Sequence, residues 1–203
     1  MRILSGKYKG RVIEMPQGIR PTQDKVRKAL FDIFKDCMEG SKFLDLFAGS
    51  GVMGIEALSR GAAFALFVEA DGQQSRVLKE NLDSLGIREA LVLTQDVYRA
   101  IENLSKQNKI FDIIYIDPPY YKDKGLSPGS VLTDSVPACS APEPLSKKTL
   151  QTLSDYDILA AKGLVVVEHF KRDQLPETVG KLVLWRIAKY GDTLLSFYQK
   201  KDA

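Results

Sequence analysis

Phe43-Leu44-Asp45-Leu46-Phe47-Ala48-Gly49-Ser50-Gly51-Val52-Met53-Gly54 reads as a buried strand that runs into a glycine turn and out into a helix. A short apolar run bounded by glycine marks the strand. The glycines accept positive φ and let the backbone approach a ligand closely. The first turn of the new helix offers unpaired N–H groups to a negative group. Gly49, Gly51 and Gly54 carry the dinucleotide-binding spacing, and Glu69 follows the next apolar stretch, Ala65 to Val68. An acid at that place suits a ribose hydroxyl pair, in NAD and in S-adenosylmethionine (SAM) alike. On its own the stretch points to an adenosine-containing cofactor without choosing between them.

Outward from it, strands and helices alternate. The periodicity predicts strands at 42–47, 63–68, 90–94 and 111–116, with helices at 52–60, 71–85 and 97–105 between and after them. Upstream, Thr22 is a plausible N-cap for a helix to about Met38, stopped by Gly40. Downstream, a helix over about 147–160 precedes a strand at Leu164–Glu168. Lys181–Tyr190 and Thr193–Lys200 then form an antiparallel hairpin around Gly191-Asp192. Alternating β and α implies an α/β fold, a mostly parallel sheet covered by helices on both faces. At its start, Arg2–Ser5 and Arg11–Met15 read as a β-hairpin around Gly6-Lys7-Tyr8-Lys9-Gly10.

The strand Phe111–Ile116 ends in Asp117-Pro118-Pro119-Tyr120. Asp117 can accept hydrogen bonds from a flat exocyclic amine. Two prolines fix φ and remove two backbone donors, leaving carbonyls to face the same group. Tyr120 offers a ring on which a planar base stacks. The plainer reading is a strand closed by a Pro-Pro turn and an aromatic. The other strand ends argue against it: Asp45 and Phe47 lie inside the strand before the glycine turn, Glu69 ends the second, and Asp96 follows the third. Ligands of open α/β sheets bind beyond the carboxyl ends of the strands, so these residues ring one crevice. A cation bearing ribose and adenine suits such a rim, with Asp45 on an α-ammonium, Glu69 on the ribose and Asp96 on the adenine amine. A pyrophosphate does not, and SAM is the cofactor expected.

The chain resembles class I SAM-dependent methyltransferases, whose Rossmann-like core is a seven-stranded sheet with an antiparallel last strand. More closely it is similar to the RsmD family, bacterial 16S ribosomal RNA (guanine-N(2))-methyltransferases. The matching stretches are Met1–Arg11, Arg20–Arg27, Leu44–Gly51, Phe67–Glu69, Asp117–Tyr120 and Val165–Glu168. The resemblance implies methyl transfer to the 2-amino group of a guanine in 16S RNA. It implies Asp117, Pro118, Pro119 and Tyr120 as the catalytic clamp, and Asp45, Phe47, Gly49, Gly51, Glu69 and Asp96 around SAM. Arg20, Thr22 and Asp24 belong near the methionine end of the cofactor or the RNA entrance. Three other readings stay open at this point. One is a DNA adenine or cytosine amino-methyltransferase, although 203 residues leave little room for a target-recognition domain. Another is a protein-glutamine methyltransferase, and the third a SAM-binding ribosome assembly factor without catalysis.

Charge is unevenly spread. Residues 1–28 carry eight basic side chains against Glu14 and Asp24, a local +6 in a chain of net +3 whose remainder is therefore −3. A basic arm on an acidic body is the footprint of docking on phosphates. Arg2, Lys7, Lys9, Arg11 and Arg20 are the expected RNA contacts, with Tyr8 a platform for an unpaired base. The plainer reading is a solvated hairpin.

The expected organisation is one methyltransferase domain over 1–203, with the hairpin within 1–20 and a flexible insertion at 122–147, rich in Ser, Pro, Ala and Gly. Two cysteines, Cys37 and Cys139, suggest neither disulfides nor zinc, and the sole histidine, His169, is read as structural. The N-terminus is too polar for a signal peptide, and no apolar run reaches transmembrane length. A cytoplasmic monomer acting on an assembled or assembling small subunit is expected.

Overall fold

The computed structural model describes residues 1–16, 24–119 and 143–201. Among the described residues, five helices and eight strands follow one another as α1 (Asp24–Ile33), β1 (Lys42–Asp45), α2 (Val52–Ser59), β2 (Phe64–Val68), α3 (Gly72–Leu85), β3 (Ala90–Leu93), α4 (Val97–Lys106), β4 (Phe111–Ile116), α5 (Leu145–Asp155), β5 (Leu159–Phe170), β6 (Thr178–Val179), β7 (Leu182–Tyr190) and β8 (Thr193–Lys200). All eight strands join one sheet in the order β3-β2-β1-β4-β5-β8-β7-β6. β1 to β5 run parallel, and β8, β7 and β6 are antiparallel to their neighbours.

Alternation across the strands builds two cores. Phe43, Phe67, Tyr115, Val166 and Phe197 point to the layer of α1, α2 and α3, where they meet Leu30, Phe31, Ile55 and Leu78. Leu44, Leu66, Ile114, Val165 and Val167 point to the opposite layer, against Ile101 and Leu104 of α4 and Leu150 and Leu153 of α5. Each such fully buried side chain contributes about 1.5–3 kcal/mol of apolar transfer. Helix ends follow local chemistry. Asp71 caps α3 by accepting from the Gln73 and Gln74 amides, and Gly86 ends it at φ 68°.

Four departures from the sequence reading have physical causes. The sheet has eight strands rather than seven, because the two-residue β6 is too short to show periodicity. β5 begins at Leu159 rather than Leu164, and its register against β4 slips between Phe111 and Ile113. α5 correspondingly stops at Asp155, with Ile158 and Leu159 drawn into the core. α1 ends at Ile33 instead of Met38; Asp32 and Asp36 place negative charge at the negative end of the helix dipole. The expected cap Thr22 and most of the 122–147 segment lie outside the described residues.

The N-terminal hairpin is reduced to an isolated Arg2–Val12 bridge, with Ile3 N–H donating to Arg11 O at 3.0 Å and Ile13 N–H to Met1 O at 2.7 Å. It lies against the body, with Ile3, Tyr8 and Ile13 buried in the first core. Glu56 of α2, itself fully buried, accepts from the Leu4 and Ser5 amides at 2.8 and 3.1 Å. Gly6 crosses that helix so closely that a Cβ would sit 1.6 Å from Ser59 O.

Candidate active site

The chain leaving β1 stays wedged between its neighbours: Leu46 N–H donates to Tyr115 O and Ala48 N–H to Val68 O, each at 3.0 Å. It then turns through Gly49 (φ 52°) and Gly51 (φ 80°) into α2. A Cβ on Gly51 would lie 2.0 Å from Leu78 Cδ1, and one on Gly54 would lie 2.3 Å from Phe67 Cε1. Both glycines are therefore also demanded by helix packing. Phe47 falls in the turn, half-buried against the second core, rather than inside the strand.

Glu69, at the end of β2, holds this turn. Its Oε2 accepts the Gly49 N–H and its Oε1 the Asp71 N–H, both at 2.8 Å. Asp96 caps α4, Oδ1 accepting from Tyr98 and Arg99 amides at 2.9 and 3.3 Å. Asp45 differs from both. It is 1% exposed, and neither carboxylate oxygen has a hydrogen-bond partner among the described residues. Burial pushes its carboxyl up to about 7, with repulsion from Glu69 in the same sense, while the Phe47 and Gly54 amides favour the charged form. A buried carboxylate left so is costly unless a donor arrives.

β4 lies between β1 and β5, and its last residues bring the acids together. Asp117 is half-buried, Pro118 buried and Pro119 exposed, while Tyr120 falls outside the described residues. Tyr115 donates its hydroxyl to Glu168 Oε2 at 2.6 Å. Its hydroxyl is held protonated far above the usual range, first by burial and then by the charges of Glu168, Asp117 and Asp45.

Glu168 and Tyr115 were given no role by the sequence reading, since nothing local links residues 53 positions apart. Nor were Glu56, Asn81 and Arg27. The signal for Glu56 was a lone acid in the apolar run Val52–Ser59. Buried Asn81 of α3 donates to Ser50 O and Glu14 O at 3.0 Å and accepts the Glu14 N–H at 2.8 Å, tying the N-terminal segment to the glycine turn. Arg27 donates to Arg2 O and Asp24 Oδ1 at 2.8 Å.

Arg2, Lys7, Lys9 and Arg11 are exposed on the N-terminal segment; Arg20 lies outside the described residues. The expectation for Tyr8 is corrected. Its ring is 8% exposed and packed in the first core, with Lys7 Nζ 5.1 Å from its centroid, so it has no open face for a base. His169 is 2% exposed, with Nε2 2.8 Å from Ser196 Oγ and Nδ1 3.0 Å from Phe170 O. No group of three or more potential metal-ligating side chains occurs among the described residues.

The family model described as conserved hypothetical protein 95 matches residues 1–132. The chain belongs to this family. It is the RsmD-type methyltransferase family that the sequence resembles. YlbH of Bacillus subtilis strain 168 is 36% identical over 204 residues, spanning 99% of this chain and all of that one. Ribosomal RNA small subunit methyltransferase D of Escherichia coli strain K12 is 30% identical over 203 residues, spanning 99% of this chain and 90% of that one. Among solved structures, yhhF from Escherichia coli superposes with a TM-score of 0.77 at 28% identity, covering 99% of this chain and 98% of that one. The conserved hypothetical protein 95 fold is the class I methyltransferase fold, carried here with the extra edge strand β6.

Proposed function

We propose that this chain, acting as one methyltransferase domain, transfers a methyl group from SAM to the exocyclic 2-amino group of a guanine in 16S ribosomal RNA. The observation that carries this reading is the orphaned Asp45 carboxylate beneath the glycine turn, one strand from Asp117-Pro118-Pro119. A buried carboxylate with no hydrogen-bond partner among the described residues, and only the nearby Phe47 and Gly54 amides to favour its charge, fits the α-ammonium of SAM. The turn at Gly49 and Gly51, closed by Glu69, fits its ribose, and Asp96 the adenine edge. Family membership supports the reaction, since the Escherichia coli relative is a ribosomal RNA small subunit methyltransferase.

SAM supplies an electrophilic methyl group on a sulfonium. The chain's own residues do the rest by placement and electrostatics. Asp117 and the Pro118 carbonyl accept the hydrogens of the exocyclic amine and turn its lone pair toward the methyl group. Tyr120 stacks on the base, held out of its helix or already unpaired. Arg2, Lys7, Lys9, Arg11 and Arg20 meet RNA phosphates. By the family resemblance, Thr22 is assigned to the methionine end of the cofactor. A single short basic face reads little sequence, so an assembled or assembling small subunit supplies much of the specificity to a monomeric enzyme.

The test is methyl transfer from labelled SAM to unmethylated small subunits, naked 16S RNA and duplex DNA, with Asp117→Ala alongside. Label in ribosomal RNA recovered as 2-methylguanosine and lost in the variant is the expected result. Label in DNA, or none despite SAM binding, would overturn the substrate assignment.

A further inference from the structure

Asn81 is a polar residue on the buried face of α3, which it shares with Ser75, Leu78, Leu82 and Leu85. Asparagine is a weak helix former, so propensity does not explain it. A carboxamide only 2% exposed is costly unless its donors and acceptor are engaged. Here they are, all by backbone. Nδ2 donates to Ser50 O and to Glu14 O, both at 3.0 Å, and Oδ1 accepts the Glu14 N–H at 2.8 Å. Glu14 thus exchanges two bonds with the carboxamide, which leaves its second N–H for Ser50.

Ser50 O and the Gly51 N–H belong to one peptide group of the glycine turn. The N–H donates to Ala48 O at 2.7 Å and the oxygen accepts from Asn81, so that peptide is fixed from both sides. Gly51 takes φ 80°, in the left-handed region where such a peptide needs holding. The N-terminal segment is fastened further along α2, the helix that the turn opens into. Glu56 accepts the Leu4 and Ser5 amides, Ser59 Oγ the Tyr8 amide at 2.9 Å and Ser59 O the Lys7 amide at 2.7 Å. The segment bearing Arg2, Lys7, Lys9 and Arg11 therefore reaches the turn twice, through α2 and through Asn81.

Resting on the RNA and SAM reading above, we infer that Asn81 is a positioning residue that couples the two ligands. RNA held on the N-terminal segment and cofactor held at the glycine turn each strengthen the binding of the other. Phosphates on Arg2, Lys7, Lys9 and Arg11 steady the segment and with it Glu14. Glu14 locks the carboxamide, and the Ser50–Gly51 peptide is in its binding orientation before the cofactor arrives. Linkage makes the effect reciprocal, so a loaded chain grips RNA more tightly than an empty one.

The test is filter binding of unmethylated small subunits to the full chain, with and without S-adenosylhomocysteine at a concentration saturating for each protein. That ligand has no methyl group to give, so binding is read without turnover. The expected result is a gain in subunit affinity of about five- to tenfold in the wild type. Asn81→Ala brings the gain close to one. A merely structural asparagine would weaken binding in both conditions and leave the gain unchanged. Glu14→Pro removes the N–H on the segment's side and keeps Asn81, and it should abolish the gain as well. It carries the comparison if Asn81→Ala does not fold. A gain that persists in the variants, or is absent from a wild type that binds subunits, overturns the inference alone. A wild type that binds no subunits in either condition overturns the RNA reading and the inference with it.

Discussion

Glu69 closes the glycine turn onto β2: its Oε2 accepts the Gly49 N–H at 2.8 Å across 20 residues of chain. Its Oε1 accepts the Asp71 N–H, so the one carboxylate joins the turn to the start of α3. Glu69→Ala removes both the brace and the expected ribose acceptor. SAM affinity should fall roughly 10- to 100-fold, the range of a lost hydrogen bond to a charged group. Calorimetric titration measures it, and a Kd within threefold of wild type would refute a ligand role.

With Asp45 in the role proposed for it, cofactor binding should depend on pH. Its carboxyl is raised from the ordinary 3.8 to about 7, chiefly by burial. The folded state therefore binds more protons than the unfolded state between these values. Stability from this group is complete below about pH 4 and falls as pH rises towards 7. Asp45→Asn should accordingly be no help at pH 4 and raise Tm by several degrees, roughly 5 °C, at pH 8. An α-ammonium requires the ionised form, so SAM should bind roughly tenfold tighter at pH 7.5 than at pH 6. That dependence should vanish in the asparagine variant.

Glu56 anchors the N-terminal segment through the Leu4 and Ser5 amides and also pairs with Arg60 at 2.8 Å. Glu56→Ala leaves two half-buried amides and the half-buried Arg60 guanidinium without their acceptor. The expected cost is about 3 kcal/mol, read by urea unfolding. Limited proteolysis should cut within the first 16 residues of the variant well before the wild type. Equal cleavage rates would mean that apolar packing of Ile3 and Ile13 suffices.

Lys7, Lys9 and Arg11 are exposed cations of the N-terminal segment, Arg11 donating to Ser84 O at 3.0 Å. Replacing all three by alanine should leave SAM binding intact and weaken RNA binding. The slope of log K against log salt should shrink by about 2 to 3, close to one per phosphate contact removed. Filter binding at several salt concentrations checks this, and an unchanged slope would place the RNA elsewhere.

The sequence made the βα alternation legible because strand and helix periods differ and the caps are local. Asp71, Asp96 and Gly86 each stand where a helix begins or ends. It was less informative where an element lacked punctuation. Nothing in Asp155-Tyr156-Asp157 announces the end of α5 or the early start of β5. Tyr8 misled because its basic neighbours suggested exposure, whereas the Lys7 and Tyr8 amides bond to Ser59 and carry the ring into the core.

The sequence by itself determined the class of fold, the glycine turn and the acids at the strand ends. Those depend on φ preferences and hydrophobic patterns within about ten residues. Only the tertiary structure decided that β4 lies between β1 and β5, and so that Asp45, Asp117 and Glu168 surround Tyr115. It likewise decided that Asn81 joins Glu14 to Ser50. Such contacts follow from crossover connections and helix packing between distant segments, and no local pattern of side chains encodes which distant partner a strand will meet.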